Sequence, residues 1–268
     1  MSEDPPKVVL TIAGFDPSSG AGITADLKTI AAHHLYGIAC ITALTVQSTQ
    51  GVSRVQPVDP TLVWETLETL IADVPPAAVK IGMLGSGEIA ETVADFLKSF
   101  RLPNVVLDPV LRSSSGTELL DGTGWEVLQR RLFASADVIT PNLEEAGFLA
   151  GVPVRDLPSM REAAGILVRG GAKSVVITGG HLDDATDLLA ESEPNGGVAC
   201  RTFVGEKIAT MNTHGTGCAF SASLACNLAQ GLPLTEAVQA SKSYVKGALE
   251  NSYAIGKGVN PVNHLFRS

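Results

Sequence analysis

Short apolar runs rich in Val, Ile and Ala recur at residues 8–13, 38–46, 78–82, 105–107, 138–140 and 174–178. They lack polar alternation, as strands buried on both faces of a sheet do. Between them, at 25–34, 60–73, 87–100, 124–133, 143–150 and 159–169, apolar residues recur at helical spacing. Alternating strands and helices predict an α/β fold, with a central, mainly parallel sheet flanked by helices on both faces. Residues 187–210 break the pattern. Segments at 188–190, 198–204 and 207–209, with a turn at Pro194-Asn-Gly-Gly197, predict a short antiparallel edge. Two long helices, 216–230 and 234–252, and a Gly-rich tail follow. No fixed-period repeat, low-complexity segment or linker divides the chain, so one domain over 1–268 is predicted, without a large lid domain.

Composition narrows the function classes. Hydrophobic residues make up 45% and charged residues 18% of the 268, a globular balance. The net charge is −9 and no basic run occurs, which argues against nucleic acid as a partner. Any anion site must then be built locally against an unfavourable field. The four cysteines form no C-x-x-C pair and no His cluster completes zinc spacing. The polar, acidic start lacks a signal-peptide pattern, and the apolar stretch 35–46 is too short to span a bilayer. A soluble, cytoplasmic protein with no membrane partner is expected.

In parallel sheets, ligands bind beyond the carboxyl ends of the strands. Distinctive residues follow nearly every predicted strand: Gly14 to Gly22, Gln47, Met83, Asp108, Pro141-Asn142-Leu-Glu-Glu145 and Gly179-Gly180-His181. The strongest local signal is Asn212-Thr-His-Gly-Thr-Gly-Cys218 before an apolar helix. Gly215, Thr216 and Gly217 leave amides uncovered at a helix start, an arrangement that cradles anions. Cys218 in the first turn is expected to have a lowered thiol pKa and to serve as a base. A Gly-rich turn that only caps the helix is the alternative. Gly20-x-Gly22-x-x-Ala25 matches a dinucleotide fingerprint, but residues intervene after the strand and no acidic residue ends the second strand. A substrate loop suits it better. The Gln47 amide, both donor and acceptor, suits a heteroaromatic ring. Asp108 and Glu145 could hold Mg²⁺ beside phosphates, although Asn142 and Glu145 also have capping-box spacing. Asp183, Asp184 and Asp187 are expected in a solvated turn, and His33 and His34 at the surface of a helix end. Walker A, metalloprotease, hydrolase-elbow and protein-kinase signatures are absent from the sequence.

Several of these segments extend into longer motifs: Ala13-Gly-Phe-Asp-Pro-Ser-Ser-Gly-Ala-Gly-Ile-Thr-Ala-Asp-Leu-Lys28, Ile41-Thr-Ala-Leu-Thr-Val-Gln47, Lys80-Ile-Gly-Met-Leu84, Val106-Leu-Asp-Pro-Val110, Thr140-Pro-Asn-Leu-Glu-Glu-Ala146, Gly179-Gly-His-Leu182 and Asn212 to Cys218. In this order, and with Gly256-Lys-Gly-Val-Asn-Pro-Val-Asn-His264, they resemble the hydroxymethylpyrimidine/phosphomethylpyrimidine kinases of thiamine biosynthesis, within the ribokinase-like superfamily. The resemblance covers nearly the whole chain. It implies phosphorylation of 4-amino-5-hydroxymethyl-2-methylpyrimidine, then of its monophosphate, with ATP and Mg²⁺.

By the same resemblance Cys218 would be the base and the amides of Gly215, Thr216, Gly217 and Cys218 the anion hole. Gln47, Gly14, Asp26 and Met83 would line the pyrimidine pocket. Asn142, Thr178 and Gly180 would lie on the ATP side, with Asp108 and Glu145 organising the metal. A homodimer is implied. Two family lysines are replaced, by Thr178 and Ser114, leaving Arg112 to supply charge to the phosphates. The second phosphorylation, which joins two anions, should suffer most. Pyridoxal kinase activity and a non-catalytic pyrimidine sensor are the rival readings.

Overall fold

The computed structural model describes residues 5–113, 116–180, 182, 184–194 and 196–267. Its strands are β1 (Val8–Phe15), β2 (Tyr36–Ser48), β3 (Gly51–Pro57), β4 (Ala78–Ile81), β5 (Val105–Leu107), β6 (Val138–Ile139), β7 (Ser174–Ile177), β8 (Asp187–Ser192) and β9 (Val198–Phe203). Among the described residues they form one sheet in the order β3-β2-β1-β4-β5-β6-β7-β8-β9. From β2 to β7 all pairings are parallel. The carboxyl ends of those strands therefore share one edge.

Antiparallel strands close both sides, not one as expected: β3 on β2, and β8 and β9 beyond β7. Strand β3 (GVSRVQP) has no apolar run because it lies at the edge with little buried surface. Residues 207–209 are not a strand; Thr210 N–H donates to Ile208 O (3.0 Å) in a tight turn there.

The helices are α1 (Gly22–Ala32), α2 (Pro60–Asp73), α3 (Gly87–Ser99), α4 (Gly122–Val127), α5 (Phe133–Ser135), α6 (Leu143–Ala150), α7 (Leu157–Arg169), α8 (Thr216–Ala229) and α9 (Leu234–Glu250). A π-helical turn, Leu128–Leu132, joins α4 to α5 within the stretch predicted as one helix. None of the described helices is long and apolar enough to cross a membrane.

Strand alternation sorts the core. Leu10, Ile12, Val79, Ile81, Val105, Leu107, Val175 and Ile177 face α2, α3, α6 and α7. Val9, Ala78, Val106, Val138 and Val176 face the opposite layer, built from α1, α8 and α9. On that second face Lys80, in the middle of β4, is charged and wholly buried.

His33, expected at the surface, is buried where α1 ends between α8 and α9. Its Nδ1 lies 2.8 Å from the Thr29 carbonyl and its Nε2 3.0 Å from Ser223 Oγ. Its ring lies 4.7 Å from that of Tyr244. Only His34 is exposed.

Phe96 is fully buried, edge-on to Trp64 at 5.4 Å and 4.7 Å from Phe100. Phe96→Ala should destabilise the protein by about 3–5 kcal/mol in urea unfolding. The exposed Leu62→Ala should stay within about 0.5 kcal/mol of the parent.

Candidate active site

Two loops meet over the carboxyl ends of β1 and β4. The loop after β1 folds around its own Asp16. That carboxylate accepts hydrogen bonds from Ser18 N–H (2.8 Å), Ser18 Oγ (2.7 Å), Gly20 N–H (3.2 Å) and Ala21 N–H (3.0 Å). These amides are thus engaged within the loop, unlike amides held open for a dinucleotide's phosphates. Asp16 also receives His214 Nε2 at 2.9 Å, from the loop before α8.

Burial pushes the Asp16 pKa up, but the bonds from His214 and Ser18 outweigh it and hold the carboxyl below its ordinary range. Gly20 and Gly215 pack where the loops cross. A Cβ at Gly215 would strike the Gly20 carbonyl, and the φ of +83° there favours glycine.

A later segment covers the second loop. His214 N–H donates to Asn260 O (3.0 Å) and Val262 N–H to His214 O (3.2 Å). The same segment reaches the end of β2, where Val259 N–H donates to Thr49 O (2.8 Å). His264, buried beside Gly215, has no partner for Nε2 among the described residues. Burial, with Lys28 and His214 nearby, takes its pKa down to about 4.

Cys218 is in the first turn of α8, half-buried, and accepts a hydrogen bond from Gly22 N–H at the start of α1. Two helix amino ends therefore converge on its sulfur. The expected low thiol pKa is nevertheless overturned. Burial pushes it up to about 12; Lys80 opposes the rise, and Asp26 and Asp108 add to it. Water is withdrawn and two carboxylates disfavour a third negative charge.

Asp26 has no exposed surface. Its Oδ2 accepts Thr11 Oγ1 (2.6 Å) and Lys80 Nζ (2.9 Å), and its Oδ1 has no partner among the described residues. It thus lies behind the pocket that the resemblance implied it would line. Burial works against the Lys80 ammonium, but Asp26, with Cys218 and Asp108, raises its pKa above the ordinary lysine value.

Asp108, after β5, accepts Ser221 Oγ at 3.0 Å. A Cβ on Gly217 would lie 4.0 Å from its Oδ2, so the anion loop passes directly over this carboxylate. Glu145 makes the capping box at the start of α6: its Oε2 accepts Asn142 N–H (2.9 Å), and Asn142 Oδ1 accepts Glu145 N–H (2.9 Å). Burial and the Asp108 charge push the Glu145 pKa up to about 8. Capping and a second function are therefore compatible in one residue.

Among the described residues no cluster of three or more His, Cys, Asp or Glu could hold a metal unaided. Thr178 N–H donates to Pro141 O (3.0 Å), which sets Thr178 beside Asn142. Gly179 is buried and Gly180 exposed.

Asp187, expected in a solvated turn, is buried. Its Oδ1 accepts Gly179 N–H (2.8 Å) and its Oδ2 accepts Lys242 Nζ (2.8 Å), tying this loop to α9. Asp184 is exposed as expected. Asp183, His181, Ser114 and Asn195 lie outside the described residues. Arg112 is exposed and lies 3.8 Å from both Glu118 and Glu144.

On the other side, Met83 packs against Gly14, where a Cβ would come 2.8 Å from its sulfur. Met83 O accepts Thr42 Oγ1 at 2.6 Å. Gln47, half-buried at the end of β2, contacts Thr45 Oγ1 (3.1 Å) and His214 Nε2 (3.4 Å). One strand edge thus gathers Gly14, Gln47, Met83, Asp108, Asn142, Thr178 and the 215–218 loop. Sequence reasoning assigned no role to Asp16, His214, Lys80 or Lys242. The available signal was the Lys inside the apolar run 78–82, since charge in a doubly buried strand requires a partner.

The Asp16–His214 pair makes a pH prediction. A depressed carboxyl pKa stabilises the fold fully above the ordinary value of 3.8, and this is lost as pH falls through the lower folded value. Asp16→Asn should therefore destabilise clearly at about pH 7 and much less at about pH 2, read from urea titrations at each pH.

Residues 16–263 match the phosphomethylpyrimidine kinase family. The chain is 44% identical over 260 residues to the thiamine biosynthesis bifunctional protein ThiED of Geobacter sulfurreducens, covering 96% of this chain and 52% of that one. It thus spans about half the length of that relative. It is 42% identical over 259 residues to a hydroxymethylpyrimidine/phosphomethylpyrimidine kinase of Haemophilus influenzae, over 96% of each chain. The ADP complex of Bacillus subtilis pyridoxal kinase superposes with a TM-score of 0.87 at 35% identity over 97% of both chains. Phosphomethylpyrimidine kinase from Clostridium difficile gives a TM-score of 0.78 at 36% identity, over 90% of this chain and 98% of the other. The sheet is the ribokinase-like one that the motifs implied. By the length of that match and its full-length relatives, the chain is a small-molecule kinase and belongs to the phosphomethylpyrimidine kinase family.

Proposed function

We propose that this kinase phosphorylates 4-amino-5-hydroxymethyl-2-methylpyrimidine, and then its monophosphate, with ATP as donor. The observation that carries this reading is Cys218 at the head of α8, under a glycine-lined anion loop whose His214 contacts the edge residue Gln47. The Gln47 amide reads the aminopyrimidine edge, and Met83 and Gly14 form the wall of the ring pocket. Asp26 supports that pocket from behind. Donor phosphates lie between the 215–218 amides and the side formed by Asn142, Thr178 and Gly180.

In the first step the substrate hydroxyl oxygen attacks the terminal phosphorus and the bond to the ADP oxygen breaks. The hydroxyl proton passes to the Cys218 thiolate, the thiol having first given its own proton to water. The transition state of phosphoryl transfer is loose, so alignment and charge stabilisation carry most of the rate and the proton leaves late.

Asp108 and Glu145 fit a divalent cation. They are neighbouring buried carboxylates, and burial, with the Asp108 charge close by, raises the Glu145 pKa. Mg²⁺ binds through one or two such groups plus water and phosphate oxygens, and when bound it offsets phosphate charge. The second step joins two anions without lysines at Thr178 and Ser114, and Arg112 is engaged by Glu118 and Glu144. The first step is therefore the faster one.

Likeness to the Bacillus subtilis pyridoxal kinase supports a second reading, pyridoxal as acceptor. The outer face of β2 exposes Ile41, Leu44 and Val46, which supports a homodimer through that face.

ADP release should be measured with the alcohol, its monophosphate and pyridoxal. The alcohol should be turned over best, Cys218→Ala should lower its kcat by about 100-fold or more, and chelating Mg²⁺ should abolish turnover. Preference for pyridoxal would establish the second reading, and silence with retained binding a sensor. Arg112→Ala should leave the first step unchanged. Sedimentation should show a dimer that Val46→Glu weakens.

A further inference from the structure

Beneath Cys218 lies a charge arrangement that the proposed chemistry does not use directly. Lys80 projects from the middle of β4 into the layer of α1 and α8 and has no exposed surface. Its Nζ is fixed 2.9 Å from Asp26 Oδ2, itself bonded by Thr11 at 2.6 Å. Gly82 leaves room for it: a Cβ there would come 2.6 Å from the Lys80 nitrogen. Asp26 is one turn along α1 from Gly22, whose amide meets the Cys218 sulfur. The charged groups facing that sulfur are Lys80 from β4, Asp26 from α1 and Asp108 after β5. Lys80 alone among these three is positive.

A buried ammonium costs much to desolvate, and an apolar side chain in its place with a neutral partner would be as stable or more so. The pair is therefore poorly explained by stability. We infer that Lys80 is a positioning residue for phosphoryl transfer: fixed by Asp26 beneath the anion loop, its ammonium holds the Cys218 sulfur where negative charge can form. The inference rests on Cys218 acting as base. Asp26 fixes the lysine in place and also offsets part of its charge. Removing either partner should thus affect Cys218 in opposite directions. A purely structural pair would harm both variants alike.

The test compares Lys80→Met and Asp26→Asn with the parent in metal-free buffer. The rate of iodoacetamide modification at Cys218 is followed by peptide mass spectrometry between about pH 7 and about pH 10, since the thiolate is the reacting form. Lys80→Met should slow modification about tenfold or more at each pH, and Asp26→Asn should speed it by a similar factor. In turnover, Lys80→Met should lower kcat and leave KM near the parent value. Circular dichroism and thermal unfolding check the fold. If Lys80→Met does not fold, the double variant Lys80→Met with Asp26→Asn removes the unpaired charge. Its modification should still be slower than that of the parent, because Lys80 acts on the sulfur more strongly than Asp26 does. Equal rates in all proteins, or shifts of the same sign in both single variants, would overturn the inference. A Cys218→Ala protein that keeps full turnover would remove the base assignment, while the modification rates would still decide what Lys80 does to the sulfur.

Discussion

The site depends on one contact made across most of the chain: Asp16 and His214, 198 residues apart, meet at 2.9 Å. Asp16 already gathers the amides of its own loop, so the histidine joins two preformed turns and not two free segments. Through this joint the amino ends of α1 and α8 converge, and Cys218 receives the Gly22 amide. A carboxylate that takes several N–H and O–H donors stays ionised and well oriented. Glycines at 20 and 215 are needed because the backbones touch there and leave no space for a side chain.

The parallel sheet supplies the second constraint. Strands β1, β2 and β4 to β7 run the same way, so every loop beyond their ends opens on one side. Few residues come from any single element. Gln47 closes β2, Asp108 follows β5, Asn142 caps α6 and Thr178 follows β7. Each is anchored to a rigid ladder, which suits a reaction whose rate comes mainly from alignment. The antiparallel strands at the two margins leave this arrangement undisturbed and close the sheet on either side.

Much of this was legible in the residues. The parallel strands declared themselves because they are buried on both faces and carry continuous apolar runs. The strand-end residues and the loop before α8 followed from that reading. Strand β3 did not, since Ser53, Arg54 and Gln56 give an exposed edge no apolar signature. Hydropathy marks charged and polar side chains as surface, and this concealed His33, Asp187, Lys80 and His214, which are all buried. Their partners, Ser223, Lys242, Asp26 and Asp16, are distant in sequence, and pairing of that kind is settled by tertiary packing. The Cys218 environment failed for the same reason. A helix start favours a thiolate, but the carboxylates around it come from α1 and from the loop after β5.

The covering of the His214 loop carries a consequence for biosynthesis. Residues 259 to 262 pair with both Thr49 and His214, so they close a site whose other walls precede them in the chain. As the polypeptide leaves the ribosome, the sheet and α8 emerge before this cover does. A nascent chain can therefore hold a formed core while its phosphate loop still lacks one side. Closing the loop is coupled to the docking of this short segment, whose Val262 joins Ala32, Ala219, Tyr244 and Ala248 in the last patch of core.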